Sequence, residues 1–108
     1  MTMGLLHMVL IKARPDVDEA TIDLIFKDLR KIKSVVPGIG AIIAGRSNSP
    51  EHMERGYTHG FTVEMESYNI LEAYQAHPDH RAVGARLVAA TDGGIDGILV
   101  LDIPVHER

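Results

Sequence analysis

The chain has 108 residues, 45% of them hydrophobic and 24% charged, with a net charge of -4, which suits a folded globular protein and argues against both disorder and a nucleic-acid partner. It contains no cysteine, so disulfides, thiolate nucleophiles and thiolate metal sites are excluded. No stretch approaches the ~20 apolar residues of a membrane span and the N-terminus shows no leader pattern, so the expectation is one cytoplasmic domain over residues 1–108.

Leu5 to Ala13 is apolar on both alternating faces apart from His7 and Lys12, the pattern of a central strand covered on two sides. Pro15 ends it, and Asp16 with Glu19 three positions later predicts a capping box at the start of a helix. Ile22, Ile25, Phe26, Leu29, Ile32 and Val36 then recur at three- and four-residue intervals, one apolar stripe on a helix of about five turns. The basic cluster Lys27, Arg30, Lys31 and Lys33 falls late in that helix, where cations suit the negative end of its dipole.

Pro37-Gly38 stops the helix, Ile39 to Gly45 is a glycine-weakened strand, and residues 46–56 form a polar, turn-rich loop. Tyr57 to Glu66 alternates cleanly, with Tyr57, His59, Phe61, Val63 and Met65 on one face. Ser67 is the expected N-cap of a short helix that buries Ile70, Leu71 and Tyr74. Pro78 interrupts it, and a second helical piece carries Val83, Leu87 and Val88 inward until Gly93-Gly94. Ile95 to Ile103 is a last apolar strand, followed by a polar tail from Pro104 to Arg108.

Strand, helix, strand, strand, helix, strand is the split βαβ order of a ferredoxin-like α+β fold, βαββαβ with an antiparallel sheet. Two helices cover one face of such a sheet. The other face is also apolar on the first and last strands, so it is expected to pack against a second copy in a homodimer.

Within Ala73 to His80, Tyr74, His77 and His80 crowd around the helix-breaking Pro78. His80 reads either as a capping residue of the second helical piece or as a pocket acid or base, and Tyr74 either as a core ring or as a hydroxyl donor. His77 reads as an N-cap before Pro78, and a metal shared by His77 and His80 is disfavoured because the proline spoils their helical geometry. His7 and His59 are either paired polar members of the core or walls of a cavity. His52 and His106 read as solvent-exposed.

Taken together, His7-Met8-Val9-Leu10, Val36-Pro37-Gly38-Ile39, Gly56-Tyr57-Thr58-His59, the Tyr74 to His80 run and Leu99-Val100-Leu101-Asp102 resemble the stress-responsive dimeric α/β-barrel (Dabb) domain family over nearly the whole chain. The resemblance implies two ferredoxin-like subunits whose sheets face each other as a homodimeric α+β barrel. A plant member performs a cofactor-free aldol cyclisation of a linear polyketide. On that likeness His80 is the general base, Tyr74 orients or stabilises the enolate, and His7 and His59 belong to the same substrate pocket. Asp79 departs from that member, which has a small apolar residue there. Some relatives hold magnesium through backbone carbonyls at positions matching Lys33, Val36 and Ile39, with oxygen donors as a hard cation wants. The resulting expectation is a cofactor-free lyase or cyclase that binds a small hydrophobic carbonyl compound. A non-catalytic stress-related or ligand-carrying dimer is the alternative, and a cofactor-free monooxygenase ranks lowest.

Overall fold

A computed structural model describes residues 3–106, with side chains from 4 to 105, so the expectation for the His106 side chain lies outside the described residues. The elements are β1 (Met3–Ile11), α1 (Glu19–Lys31), β2 (Ile39–Arg46), β3 (His59–Met65), α2 (Tyr68–Ala76), α3 (Pro78–Ala89) and β4 (Ile98–His106). The strands form an antiparallel sheet in the order β2-β3-β1-β4, the ferredoxin-like α+β topology expected from the element order.

Alternation decides which side chains meet the helices. Leu5, His7, Val9 and Ile11 of β1 and His59, Phe61, Val63 and Met65 of β3 are all buried beneath the helical layer. The α1 stripe of Ile22, Ile25, Phe26 and Leu29 closes over them, followed by Ile32. Leu71 and Tyr74 of α2 and Val83 and Leu87 of α3 complete that side of the core. Full burial of each large aliphatic side chain stabilises by about 1.5–3 kcal/mol, so this single layer supplies most of the apolar driving force.

The helix start differs from the capping box expected at Asp16. Asp18 is the N-cap, its carboxylate accepting from the Thr21 backbone N–H at 2.9 Å and from the Thr21 hydroxyl at 2.6 Å. A turn closed by Val17 N–H donating to the Arg14 carbonyl leaves Asp16 outside the helix, paired with Arg14. Glu19 points away from the cap, toward His59 and Arg46. Asp18→Ala is therefore expected to lower the melting temperature more than Asp16→Ala; equal losses by thermal denaturation would place the cap elsewhere. The helix is also shorter than five turns, with 13 α-helical residues and a 3-10 turn over Ile32–Ser34. Arg30 and Lys31 occupy its last turn, and Arg86 of α3 reaches Asp28 at 2.6 Å to tie the two helices.

Strand ends shift as well. β1 stops at Ile11 because Lys12 N–H turns to the Gly97 carbonyl, leaving Ala13 only an isolated bridge to Thr91. β3 begins at His59, since Thr58 N–H donates to the Ile11 carbonyl and Ser47 N–H to the Thr58 carbonyl in the approach to the ladder. β4 starts after a 3-10 turn over Gly94–Gly97, which leaves Ile95 exposed, and it continues through Pro104 to His106. A proline is tolerated there because β4 is an edge strand whose outer side needs no N–H. Ser67 occupies the N-cap of α2 but makes no side-chain capping bond. No helix among the described residues is long and apolar enough to cross a membrane.

Candidate functional site

The site begins at the middle of β1. Antiparallel register sets His7 opposite Val63 on β3 and opposite Asp102 on β4. Asp102 comes from an edge strand, and its carboxylate meets His7 Nδ1 at 2.7 Å. A carboxylate only accepts, so Nδ1–H donates to it and a neutral His7 ring keeps its lone pair on Nε2.

The α2–α3 break brings two further groups over this histidine. His77 adopts an extended backbone and serves both as C-cap of α2 and as N-cap of α3, with its Nδ1 accepting from Asp79 N–H at 3.1 Å. Pro78 supplies the first helical position, and the change of axis folds His80 back onto Tyr74. Their ring centroids lie 4.2 Å apart, while the edge of Tyr74 meets His7 at 5.5 Å between centroids. Tyr74 is completely buried and His80 is half-buried.

Both groups carry an unusual polar atom. Tyr74 Oη and His80 Nδ1 are buried and have no hydrogen-bond partner among the described residues. Burial drives the Tyr74 hydroxyl well above the usual phenol range, so it remains an O–H donor at neutral pH. Burial also pushes the His80 imidazole below its ordinary value, against an upward pull from the nearby Gln75 backbone and with a further push from the neighbouring His7. An O–H donor and a neutral imidazole side by side can stabilise an enolate oxygen and remove a carbon-bound proton.

His59 occupies a different part of the same face. It lies opposite Ile11, four residues along β1 from His7, or about 13 Å of strand. Its Nε2 donates to Glu19 at 2.9 Å, and its Nδ1 accepts from the Thr58 hydroxyl at 2.7 Å. Thr58 Oγ1 in turn accepts the Ala13 backbone N–H at 3.0 Å. His59 and His7 are linked through rings rather than by contact: His59 packs near Phe26, Phe26 meets Phe61 edge-on, and Phe61 tilts toward His7. The structure thus brings Tyr74, His80 and His7 together and sets His59 at the far end of an aromatic file.

Glu19 binds His59 and Arg46, and these partners hold its carboxyl below the usual range, the His59 hydrogen bond foremost. A depressed carboxyl contributes stability above its unfolded value, near 4.5, and that contribution is lost as the pH falls through its folded value. Glu19→Gln is accordingly expected to melt below the parent at pH 7 and to converge on it in acid. A gap that persists at pH 3 would assign the loss to packing instead.

The carbonyl-bearing residues Lys33, Val36 and Ile39 lie on the exposed 3-10 turn after α1, its buried end and the start of β2. Among the described residues, no side chain and no turn or cap N–H donates to their carbonyl oxygens. Carbonyl oxygens are the hard donors that a magnesium ion takes. No group of three or more His, Asp or Glu side chains among the described residues could hold a metal.

Sequence periodicity places Phe26 and Phe61 in the core without relating them to the histidines, and it does not single out Asp102, Glu19 or Thr58 as histidine partners. Alternation identifies the face on which Asp102 stands, but only strand register makes it the neighbour of His7.

A family model described as Stress responsive A/B Barrel Domain matches residues 5–105. Olivetolic acid cyclase of Cannabis sativa is 27% identical over 82 residues, covering 76% of this chain and 81% of the cyclase. A stress-response A/B barrel domain-containing protein of Arabidopsis thaliana is 30% identical over 105 residues, covering 96% of this chain and 88% of the relative. A solved dimeric ferredoxin-like protein of unknown function from Jannaschia sp. CCS1 is similar with a TM-score of 0.80 and 30% identity, over 94% of this chain and 99% of that one.

Proposed function

Because the chain belongs to the stress-responsive A/B barrel domain family, we propose that it forms a homodimer through its open sheet faces and that each copy catalyses cofactor-free proton transfer on a small, hydrophobic carbonyl compound. The observation that carries the chemical part is the pairing of two buried, unpartnered polar atoms, Tyr74 Oη and His80 Nδ1. Leaving each unsatisfied costs about 1–3 kcal/mol, and a carbonyl compound reaching both atoms would offset that cost.

In this reading His80 accepts a proton from the carbon beside a carbonyl. The C–H electron pair moves toward the carbonyl oxygen, where the Tyr74 O–H donates to the developing negative charge. The enolate carbon then attacks a second carbonyl of the same molecule, forming the C–C bond of a cyclisation, and protonated His80 returns its proton to the new alkoxide. His7, oriented by Asp102, lines the inner wall, and His59 forms the polar end of the pocket beyond Phe26 and Phe61. Support comes from the likeness to olivetolic acid cyclase, 27% identical over 82 residues, and from the sequence resemblance, which implies that His7, His59, Tyr74 and His80 stand at its pocket positions.

Binding of linear 3,5,7-trioxo thioesters and aromatic analogues, followed by thermal shift and native mass spectrometry, tests the proposal. His80→Ala and Tyr74→Phe are each expected to weaken the response; unchanged binding in both removes them from the site. The complete burial of Tyr74 favours the alternative of a non-catalytic dimer, in which these rings are core. That alternative predicts no ligand response in the parent.

The same family likeness supports magnesium held by the carbonyls of Lys33, Val36 and Ile39. A saturable rise in melting temperature with magnesium, absent with sodium at equal ionic strength, is expected, and no magnesium-specific rise would remove the ion from this reading.

A further inference from the structure

His77 holds three separate points of the α2–α3 junction. Its backbone N–H donates to the Tyr74 carbonyl at 3.2 Å, its carbonyl accepts the Arg81 N–H at 3.1 Å, and its ring Nδ1 accepts the Asp79 N–H at 3.1 Å. Tyr74 and both sequence neighbours of His80 are thus pinned to one residue. His80 stands in the first turn of α3, so its ring keeps its place 4.2 Å from that of Tyr74, between centroids, only while this turn keeps its shape.

The cap on this turn is of an unusual kind. Side-chain caps are ordinarily the oxygens of Ser, Thr, Asp or Asn, which accept throughout the neutral range. An imidazole Nδ1 accepts only in the neutral ring that carries its proton on Nε2. Pro78 brings no N–H, so the Asp79 N–H is the first donor that α3 presents, and the His77 ring is its partner. A proton on Nδ1 removes that acceptor and sets a cation against the positive end of the helix dipole. The Asp79 carboxylate stands 3.9 Å from Nδ1, placed to receive the new N–H, and the His77 side chain is 28% exposed, within reach of solvent protons. Among the described residues no other carboxylate lies in ion-pair range of this ring, and no side chain of α1, α2 or the sheet hydrogen-bonds to it. His80 and His7, the other titratable rings at the junction, are packed on Tyr74.

We infer that His77 is an acid-sensitive positioning residue for His80. Neutral, it caps α3 and locks His80 over Tyr74; protonated at Nδ1, it gives up the Asp79 N–H and releases the turn that carries His80. The effect on rate rests on the reaction proposed above, whereas the effect on the ring contact stands without it.

Side-chain NMR of the full chain tests both parts. The nuclear Overhauser contact between the Tyr74 and His80 rings is expected to fade in acid in step with the titration of the His77 ring signals. His77→Asn keeps an accepting oxygen that does not titrate, so it should hold the contact to lower pH than the parent, while His77→Ala should weaken it already at neutral pH. Since His80 is present in the parent and in His77→Asn alike, the difference between them reports His77 alone. A parent contact that persists through the His77 titration, or that fades with the His80 signals instead, overturns the inference without any variant having to fold. A His77→Asn chain that loses the contact at the same pH as the parent overturns it as well. With a linear 3,5,7-trioxo thioester, His77→Ala is expected to turn over about fivefold more slowly, the equilibrium weight of one typical cap, and His77→Asn to restore the rate. A ring contact that behaves as described in a parent without turnover overturns the proposed reaction and leaves the positioning of His80 intact.

Discussion

Tyr74→Phe is expected to fold at least as stably as the parent and yet to slow the proposed cyclisation by about 10²–10³-fold, the usual effect of removing one oxyanion donor. The two outcomes have the same cause. Tyr74 Oη makes no hydrogen bond among the described residues, so deleting it removes a buried polar group and sacrifices no protein partner. A core tyrosine satisfied at its edge would behave oppositely, losing stability with the hydroxyl. Matched thermal melts and turnover of a linear 3,5,7-trioxo thioester separate the cases, and a destabilised Tyr74→Phe with unchanged turnover would sink the catalytic role.

The companion variant His80→Ala should cost about 10²–10⁴-fold through loss of the general base. The pH profile adds a sign. Burial lowers the His80 value below 6.5, so the ring stays neutral and competent into mildly acidic solution, and the rate should fall only below that ordinary value. The unfolded chain binds this proton more readily, so the His80 contribution to stability is also lost as the pH drops through the same region. Tyr74, pushed upward, introduces no deprotonation near neutrality.

Phe26→Ala is expected to lose about 3–5 kcal/mol of stability, the range for truncating a buried aromatic side chain. Phe26 is 2% exposed and packs edge-on to Phe61, with centroids 6.1 Å apart, and near His59 at 6.3 Å. Its removal takes the central ring from the file between His59 and His7 and leaves Glu19–His59 without its inner support. Phe26→Leu should recover most of the loss by refilling the volume. Urea denaturation of both variants checks this; a loss below 1 kcal/mol for Phe26→Ala would show that the layer collapses around the gap.

Much of the architecture is legible in local pattern. The three- and four-residue spacing from Ile22 to Ile32 specifies which side of α1 is buried, and the alternation of His59, Phe61, Val63 and Met65 specifies the inner face of β3. Pro78 announces the break between α2 and α3, and His77 caps α3 as its position before that proline suggests. Element ends were less readable because they depend on distant partners. Lys12 leaves β1 for the Gly97 carbonyl, and Pro104 remains in β4 because only edge position makes a missing N–H harmless. Asp16 and Asp18 are both plausible caps by composition; the turn at Arg14–Val17 selects Asp18.

The candidate site divides in the same way. Tyr74, His77 and His80 are close in sequence, so their crowding is visible without a fold. Asp102 is 95 positions from His7, and Glu19 is 40 from His59, and nothing in either local pattern relates them. The sequence by itself determined the ferredoxin-like order of elements, the buried stripes and the family, because periodicity and short-range sterics act between near neighbours. Only the tertiary structure decided that His7 receives Asp102 while His59 receives Glu19, and that Tyr74 and His80 lie together with their polar atoms unpartnered. Those relations follow from strand register and helix docking, where a shift of one residue turns a side chain to the opposite face.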